Sequence, residues 1–162
     1  MKVLIIGYGS IGRRHFKILS KQKKISKILI CSISNTVGKD NLNYDKASII
    51  NYNPDYIIIS SETSLHKIHL NFINKILKNK IILVEKPIYH STKIKKISNS
   101  QNKIFVGYNL RFDPMINYTK KLFNNKNMIN SLLSVTAYCG SYLPSWRSKT
   151  DYIYSYSSDY KK

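Results

Sequence analysis

The sequence predicts an α/β protein built on a doubly wound parallel sheet. Three observations carry this: four-residue apolar runs recur along the chain, helical patterns separate them, and a glycine turn follows the first run. Val3-Leu4-Ile5-Ile6 has no polar interruption, as a strand buried on both faces requires. Ile11, Phe16, Ile18 and Leu19 then recur at helical spacing up to a lysine-rich stop, and Ile28-Leu29-Ile30-Cys31 reads as the second strand. Asn35 to Asn53 is polar and weakly patterned, with room for a short helix around Asp45 to Ile50 and one outlying strand. Pro54-Asp55 punctuates the start of a strand over Tyr56 to Ser60. Residues 64 to 78 carry Leu65, Ile68, Leu70, Phe72, Ile73, Ile76 and Leu77 on an amphipathic helix, and Ile81-Ile82-Leu83-Val84 is strand again. A helix near 91 to 99 and a strand over Ile104-Phe105-Val106 follow. Such alternation, with right-handed crossovers, gives the doubly wound arrangement. After Pro114 a helix is expected to about Phe123, then a strand over Leu132 to Tyr138 without a crossover behind it. Ser141 to Lys162 is rich in Tyr and Ser and lacks core periodicity.

Composition narrows the function classes. The 162 residues hold 27 Lys plus Arg against 8 Asp plus Glu, a net charge of +19, with 43% hydrophobic residues. That is a globular composition, long enough for one domain and the beginning of another. Lysine outnumbers arginine 23 to 4, and Ile, Lys, Asn and Tyr, all with AT-rich codons, make up almost half the chain. The lysines are scattered, and runs such as Lys21 to Lys24 and Lys93 to Lys96 read as solvated helix faces. No specific nucleic-acid partner is expected, and the field suits a small anionic ligand instead. Cys31 and Cys139 lie far apart in strand-like runs, without CxxC or zinc-type spacing, so two buried reduced thiols and no metal are expected. Gly7 interrupts the first apolar run and no long apolar segment follows. Neither a signal peptide nor a membrane span is therefore expected, and the location read from this is cytoplasmic.

The glycine turn carries the strongest local chemistry. Gly7-Tyr8-Gly9-Ser10-Ile11-Gly12 fits GxGxxG directly after a strand and at the mouth of a helix. Gly7 permits the tight turn, Gly9 lets backbone approach a pyrophosphate, Gly12 lets the helix pack on the strand, and the helix N-terminal amides face the phosphate charge. The carboxylate that would meet an adenosine ribose about 20 residues later is absent, since Cys31-Ser32-Ile33-Ser34-Asn35 stands there. Ser32 and Ser34, with Lys39 nearby, can bond a 2′-phosphate. This tilts NAD(P) binding slightly toward NADP, though no arginine stands there to clamp the phosphate.

A second constellation lies at the carboxyl edge of the sheet, where open α/β folds bind ligands. Val84-Glu85-Lys86-Pro87 ends one strand, Gly107-Tyr108-Asn109-Leu110-Arg111-Phe112 leaves the last, and Thr63, His66 and His69 follow the Tyr56 strand. In this order the glycine turn, Thr63-Ser64-Leu65-His66, Glu85-Lys86-Pro87 and the Gly107 to Phe112 segment resemble the Gfo/Idh/MocA family of NAD(P)-dependent oxidoreductases. Tyr142-Leu143-Pro144, Trp146-Arg147 and Asp151-Tyr152 resemble that family's passage into its second domain.

The resemblance implies a Rossmann domain over 1–118, followed over 119–162 by the linking helix and first strand of an incomplete α+β substrate domain. It implies that Gly7, Gly9, Ser10, Ile11 and Gly12 form the pyrophosphate loop. Thr63 and His66 would stand near the cofactor's inner half, and Glu85 at the nicotinamide ribose. Lys86 would be the catalytic lysine on the substrate hydroxyl, which suits oxidation of a carbinol, where a proton leaves and alkoxide charge develops. Arg111 would contact substrate or phosphate, and Trp146 and Arg147 the cofactor side. The implied activity is hydride transfer between nicotinamide and a sugar-like or polyol carbinol. The family's glycine-rich helix start and downstream Asp-xxx-His pair have no counterpart here. The 162 residues are therefore expected to be a truncated form with little turnover, and a homo-oligomer only if the second domain is supplied. The alternative is a free-standing dinucleotide-binding module or a subunit completed by another chain.

Overall fold

The computed structural model describes residues 1–32, 35–89, 101–124 and 132–140, with isolated positions 130, 142, 145 and 153. These fall into two compact units, Met1–Gly107 and Tyr108–Tyr160.

In the first unit, strands β1 (Lys2–Ile6), β2 (Lys27–Cys31), β3 (Tyr56–Ile59), β4 (Ile81–Val84) and β5 (Lys103–Val106) form one parallel sheet in the order β2-β1-β3-β4-β5. Helix α1 (Ser10–Leu19) links β1 to β2, α2 (Lys46–Tyr52) precedes β3, and α3 (Thr63–Ile76) joins β3 to β4. The sheet changes direction beside β1: the chain winds outward from it to β2, then returns across it to β3. That reversal opens the crevice in which such folds bind ligands.

The apolar runs are continuous because the sheet is covered on both faces. Leu4 and Ile6 join Leu29, Cys31, Ile57, Ile59, Ile82 and Val84 in one core, against Ile49 and Tyr52 of α2 and Leu70 and Ile73 of α3. Val3 and Ile5 join Ile28, Ile30 and Ile58 on the other face, against Phe16 and Leu19 of α1. Successive side chains of β1 thus enter opposite cores, and all four from Val3 to Ile6 are buried. Each such side chain contributes about 1.5–3 kcal/mol of burial.

Polar ties fix the helices to the sheet. The Tyr52 hydroxyl donates toward the carbonyls of Val3 at 3.0 Å and Lys27 at 3.1 Å, joining α2 to the start of β1 and β2. Burial, opposed by hydrogen bonding to the backbone and helped by the Asp55 charge, pushes its pKa up to about 12. Asp45 caps α2, accepting from the Ser48 amide at 2.8 Å and the Ser48 hydroxyl at 2.7 Å. Buried Asn102 donates to the Leu77 carbonyl and to Asn74 Oδ1 and accepts from the Lys80 amide, binding the end of α3 to the start of β5.

Between β2 and α2, the outlying strand is reduced to one bridge, Ile30 to Asn41, and Asn35–Asp40 holds two short 3₁₀ turns separated by a kink at Gly38, whose φ is +59°. The helix expected near 91 to 99 lies outside the described residues. In the second unit, a 3₁₀ turn at Asn109–Phe112 leads to α4 (Pro114–Phe123). Asp113 caps α4 by accepting from the Met115 and Ile116 amides, and Pro114 occupies its first turn.

Two expectations are corrected. Residues 132–140 form neither helix nor strand, with Leu133 99% and Tyr138 95% exposed. An apolar run becomes a strand only by pairing, and the described residues of that unit supply no strand beside Leu132 to Tyr138. Cys139 is exposed for the same reason, whereas Cys31 is buried in the sheet, and both are free thiols. Burial, with the Asp45 charge adding to it, pushes the Cys31 thiol up to about 12, so it behaves as an inert core group.

Candidate functional site

The site is built by the ladder of amides that leaves the carboxyl ends of the strands. The Gly7 amide donates to the Cys31 carbonyl, the Ser60 amide to Ile6, the Glu85 amide to Ile59 and the Gly107 amide to Val84, at 2.8–2.9 Å. The ends of all five strands are thereby held in one row. The glycine turn, Ser60-Ser61, the Glu85-Lys86-Pro87 turn and Gly107 all stand along it.

The three glycines of the turn serve different needs. Gly7 has φ +92°, and a Cβ there would lie 2.5 Å from the Ser61 amide nitrogen and 2.6 Å from its Cα. A Cβ on Gly12 would strike the Gly7 carbonyl oxygen and lie 2.9 Å from Ser60 Oγ. These two glycines are required by the protein's own backbone. Gly9, which caps α1, would place its Cβ in open space, with nothing within 4 Å. The fold does not need glycine there, and the space beside the turn is open to a ligand.

The turn is also electrostatically prepared for an anion. No acidic residue occupies the first turn of α1, so its free amides carry an uncompensated partial positive charge. Arg13 Nε donates to the Tyr8 carbonyl at 3.2 Å, and its guanidinium lies 5.0 Å from the Tyr8 ring centroid. Tyr8 meets Phe16 edge-on and serves packing.

Across the row, Glu85 turns back toward α1. Its Oε1 accepts from His15 Nε2 at 2.7 Å. A Cβ on Gly107 would approach this carboxylate to 3.1 Å, so the glycine leaves room for it. Burial pushes the Glu85 pKa up, but the His15 hydrogen bond and charge, the Lys86 amide and the His66 charge outweigh it and hold the carboxyl below its ordinary value. Lys86, the next residue, is exposed at the edge, and the Lys86–Pro87 peptide is cis.

His66, on α3, is 2% exposed, with Nδ1 2.8 Å from the Pro87 carbonyl oxygen and Nε2 3.0 Å from that of Ser61. A neutral ring donates to one of these acceptors and an imidazolium to both. His66 thus bears on the site through the two backbone turns it joins. Ser61 Oγ lies 2.9 Å from His69 Nδ1, and burial, with the His66 charge, lowers the His69 pKa. Among the described residues no group of three metal-ligating side chains occurs, and no helix is long and apolar enough to cross a membrane.

Of the residues expected from sequence, Gly7, Gly9, Ser10, Ile11, Gly12, Thr63, His66, Glu85 and Lys86 stand along this row, with Thr63 as the first residue of α3. Ser32 directly follows β2. Ser34, Trp146 and Arg147 lie outside the described residues. Arg111 belongs to the second unit. Sequence reasoning missed His15, although its place three residues after Gly12 puts it on the helix face that packs against the edge.

A parallel sheet that reverses beside β1, with a glycine turn opening a helix at its carboxyl edge, defines a Rossmann-type α/β protein. Residues 1–108 match the GFO_IDH_MocA model, an oxidoreductase family with an NAD-binding Rossmann fold, and the chain belongs to that family. Similar solved structures include a probable dehydrogenase from Thermotoga maritima (21% identity, TM-score 0.61) and myo-inositol 2-dehydrogenase from Lactobacillus plantarum (22%, 0.59). Scyllo-inositol dehydrogenase from Lactobacillus casei, solved with NAD(H) and scyllo-inositol bound, is similar at 18% identity and TM-score 0.58. Each alignment covers 78% of this chain and 42% of the other, so the chain spans less than half the length of these proteins. No curated protein sequence matches it.

Proposed function

We propose that the chain binds a nicotinamide dinucleotide along the carboxyl edge of its sheet, and that this edge belongs to a dehydrogenase acting on a sugar-like or polyol carbinol. The observation that carries the reading is the open Cβ position at Gly9 between two glycines that the backbone itself demands. The residues present fit the group: a glycine cradle, the free amides of α1 and a first turn without acids suit a pyrophosphate.

In this reading Gly7 to Gly12 hold the pyrophosphate, Thr63 stands near the inner half of the dinucleotide, and Glu85 accepts from a ribose hydroxyl. His66 supports the site by holding the Ser61 and Pro87 carbonyls. When bound, the nicotinamide ring supplies the hydride acceptor. Lys86 accepts a hydrogen bond from the substrate hydroxyl when neutral, takes its proton, and as a cation stabilises the negative charge developing on oxygen. Arg111 is proposed to contact substrate or phosphate. The segment after β2 carries Ser32, Ser34 and Lys39 and no carboxylate from Ser32 to Lys39, which supports acceptance of both cofactors with a slight preference for NADP. The inositol dehydrogenases among the similar structures support a polyol substrate class.

Calorimetric titration with NADH and NADPH tests the binding claim, and turnover is read separately with a polyol panel. Saturable binding of both, with the tighter Kd for NADPH, is expected. Lys86→Met should leave the Kd within about twofold while removing any turnover, because its role is at the substrate. Failure of the unaltered chain to bind either dinucleotide at millimolar concentration would refute the reading.

A further inference from the structure

The chain carries two glutamates among its 162 residues, and one of them, Glu85, is half-buried and spends its Oε1 on a histidine from the helix that opens at the glycine turn. His15 Nε2 meets it at 2.7 Å, joining positions 70 residues apart, with His15 and Glu85 side chains 21% and 15% exposed. The carboxylate also packs against Gly107, where an added Cβ would lie 3.1 Å from Oε2 and 3.2 Å from Oε1. An exposed ion pair of this kind would add little, but one this sheltered and short fixes geometry.

We propose that His15 is a positioning residue for the dinucleotide site: it clamps the Glu85 carboxylate and couples the pyrophosphate helix to the turn that bears Lys86. This rests on the binding reading above and deepens it. His15 and the Lys86 amide take only part of the carboxylate's accepting capacity, and the lone pairs that remain can accept from a ligand hydroxyl. The His15 contact also ties the placement of α1, whose amides face the pyrophosphate, to the placement of the residue beside the lysine. One carboxylate therefore registers both halves of the ligand against each other.

The charged or titratable groups acting on Glu85 are His15 from α1 and His66 from α3, with the Lys86 amide on its own element, and Tyr56 of β3 feels the carboxylate in turn. Gly107, at the end of β5, contributes no charge.

The test needs only the two glutamates. With ¹³C-labelled glutamate, the carboxyl resonances of Glu62 and Glu85 are assigned by Glu85→Gln and followed against pH. His15→Gln, which keeps a donor but removes the charge, should raise the Glu85 midpoint, and His15→Ala should raise it further. An unmoved midpoint in both variants would overturn the clamp without reference to any cofactor. In parallel, the NADH Kd is measured for His15→Ala, Glu85→Gln and the double variant. Each single change should weaken binding by about tenfold, as loss of a charge-assisted hydrogen bond does. The double variant should be no weaker than Glu85→Gln alone, because His15 acts through Glu85. Additive losses would overturn the positioning role. If the midpoint moves but the unaltered chain binds no NADH, the clamp stands as a structural pair, and the positioning role falls together with the binding reading.

Discussion

Replacing Gly7 and Gly9 separately by alanine should divide the glycine turn into a folding residue and a ligand residue. Gly7 adopts φ +92°, and its added Cβ would sit 2.5 Å from the Ser61 amide nitrogen, a backbone atom held by the Ser60-to-Ile6 hydrogen bond next to it. Left-handed strain costs about 1–3 kcal/mol and overpacking a further 1–3 or so, giving roughly 4 kcal/mol in all. For a unit of this size that corresponds to a fall in Tm of about 15 °C or more. Gly9 adopts φ −71° and its added Cβ meets nothing within 4 Å, so only its modest advantage over alanine as a helix cap is lost, about 1 kcal/mol. Thermal unfolding followed by far-UV circular dichroism, with an NADH titration on each folded variant, measures both quantities. Gly9→Ala should fold nearly normally and bind NADH at least about tenfold more weakly, since a methyl group fills the space a pyrophosphate would use. Equal stability losses at the two positions, or unchanged NADH affinity in Gly9→Ala, would refute the reasoning.

Three further outcomes follow from the same geometry. Tyr52→Phe removes the hydroxyl shared by the Val3 and Lys27 carbonyls and should cost about 1–2 kcal/mol in urea unfolding, with an unchanged m-value. Leu70→Ala, fully buried between α3 and the sheet, should cost about 2–5 kcal/mol. The Glu85 pKa is depressed on folding, so its contribution is complete above the ordinary glutamate value and disappears as pH falls through the lower folded value. His15→Gln should therefore flatten the loss of stability on acidification in that window, seen as a smaller difference in urea midpoint between neutral and acid pH.

The sheet was legible because burial on both faces leaves an unbroken apolar run, as at Val3–Ile6 and Ile57–Ile59, and few other environments do so. The glycine turn was legible because its spacing sits at a strand end, and the start of α4 because Asp113-Pro114 is a cap followed by a residue suited to the first turn. Other features depended on partners distant in sequence. His15 and Glu85 are 70 residues apart, and nothing local announces their contact. His66 reads as a site histidine, yet both of its nitrogens are turned to backbone carbonyls, a fact set by the path of the Ser61 and Pro87 turns. Leu132 to Tyr138 reads as strand from its side chains, but strand formation is decided by a neighbour. β5 shows the same dependence more mildly: an apolar run at the sheet edge has alternate residues exposed.

The central claim is that the edge of the sheet holds a dinucleotide through the turn at Gly9. The most direct measurement is the fluorescence enhancement of NADH on titration with the purified chain, compared with that of Gly9→Asp. The account predicts saturable binding by the unaltered chain, and a loss of about a hundredfold or more in the variant, whose carboxylate would crowd and repel the pyrophosphate while the fold is retained. Equal binding by the two proteins, or none by either, would contradict it.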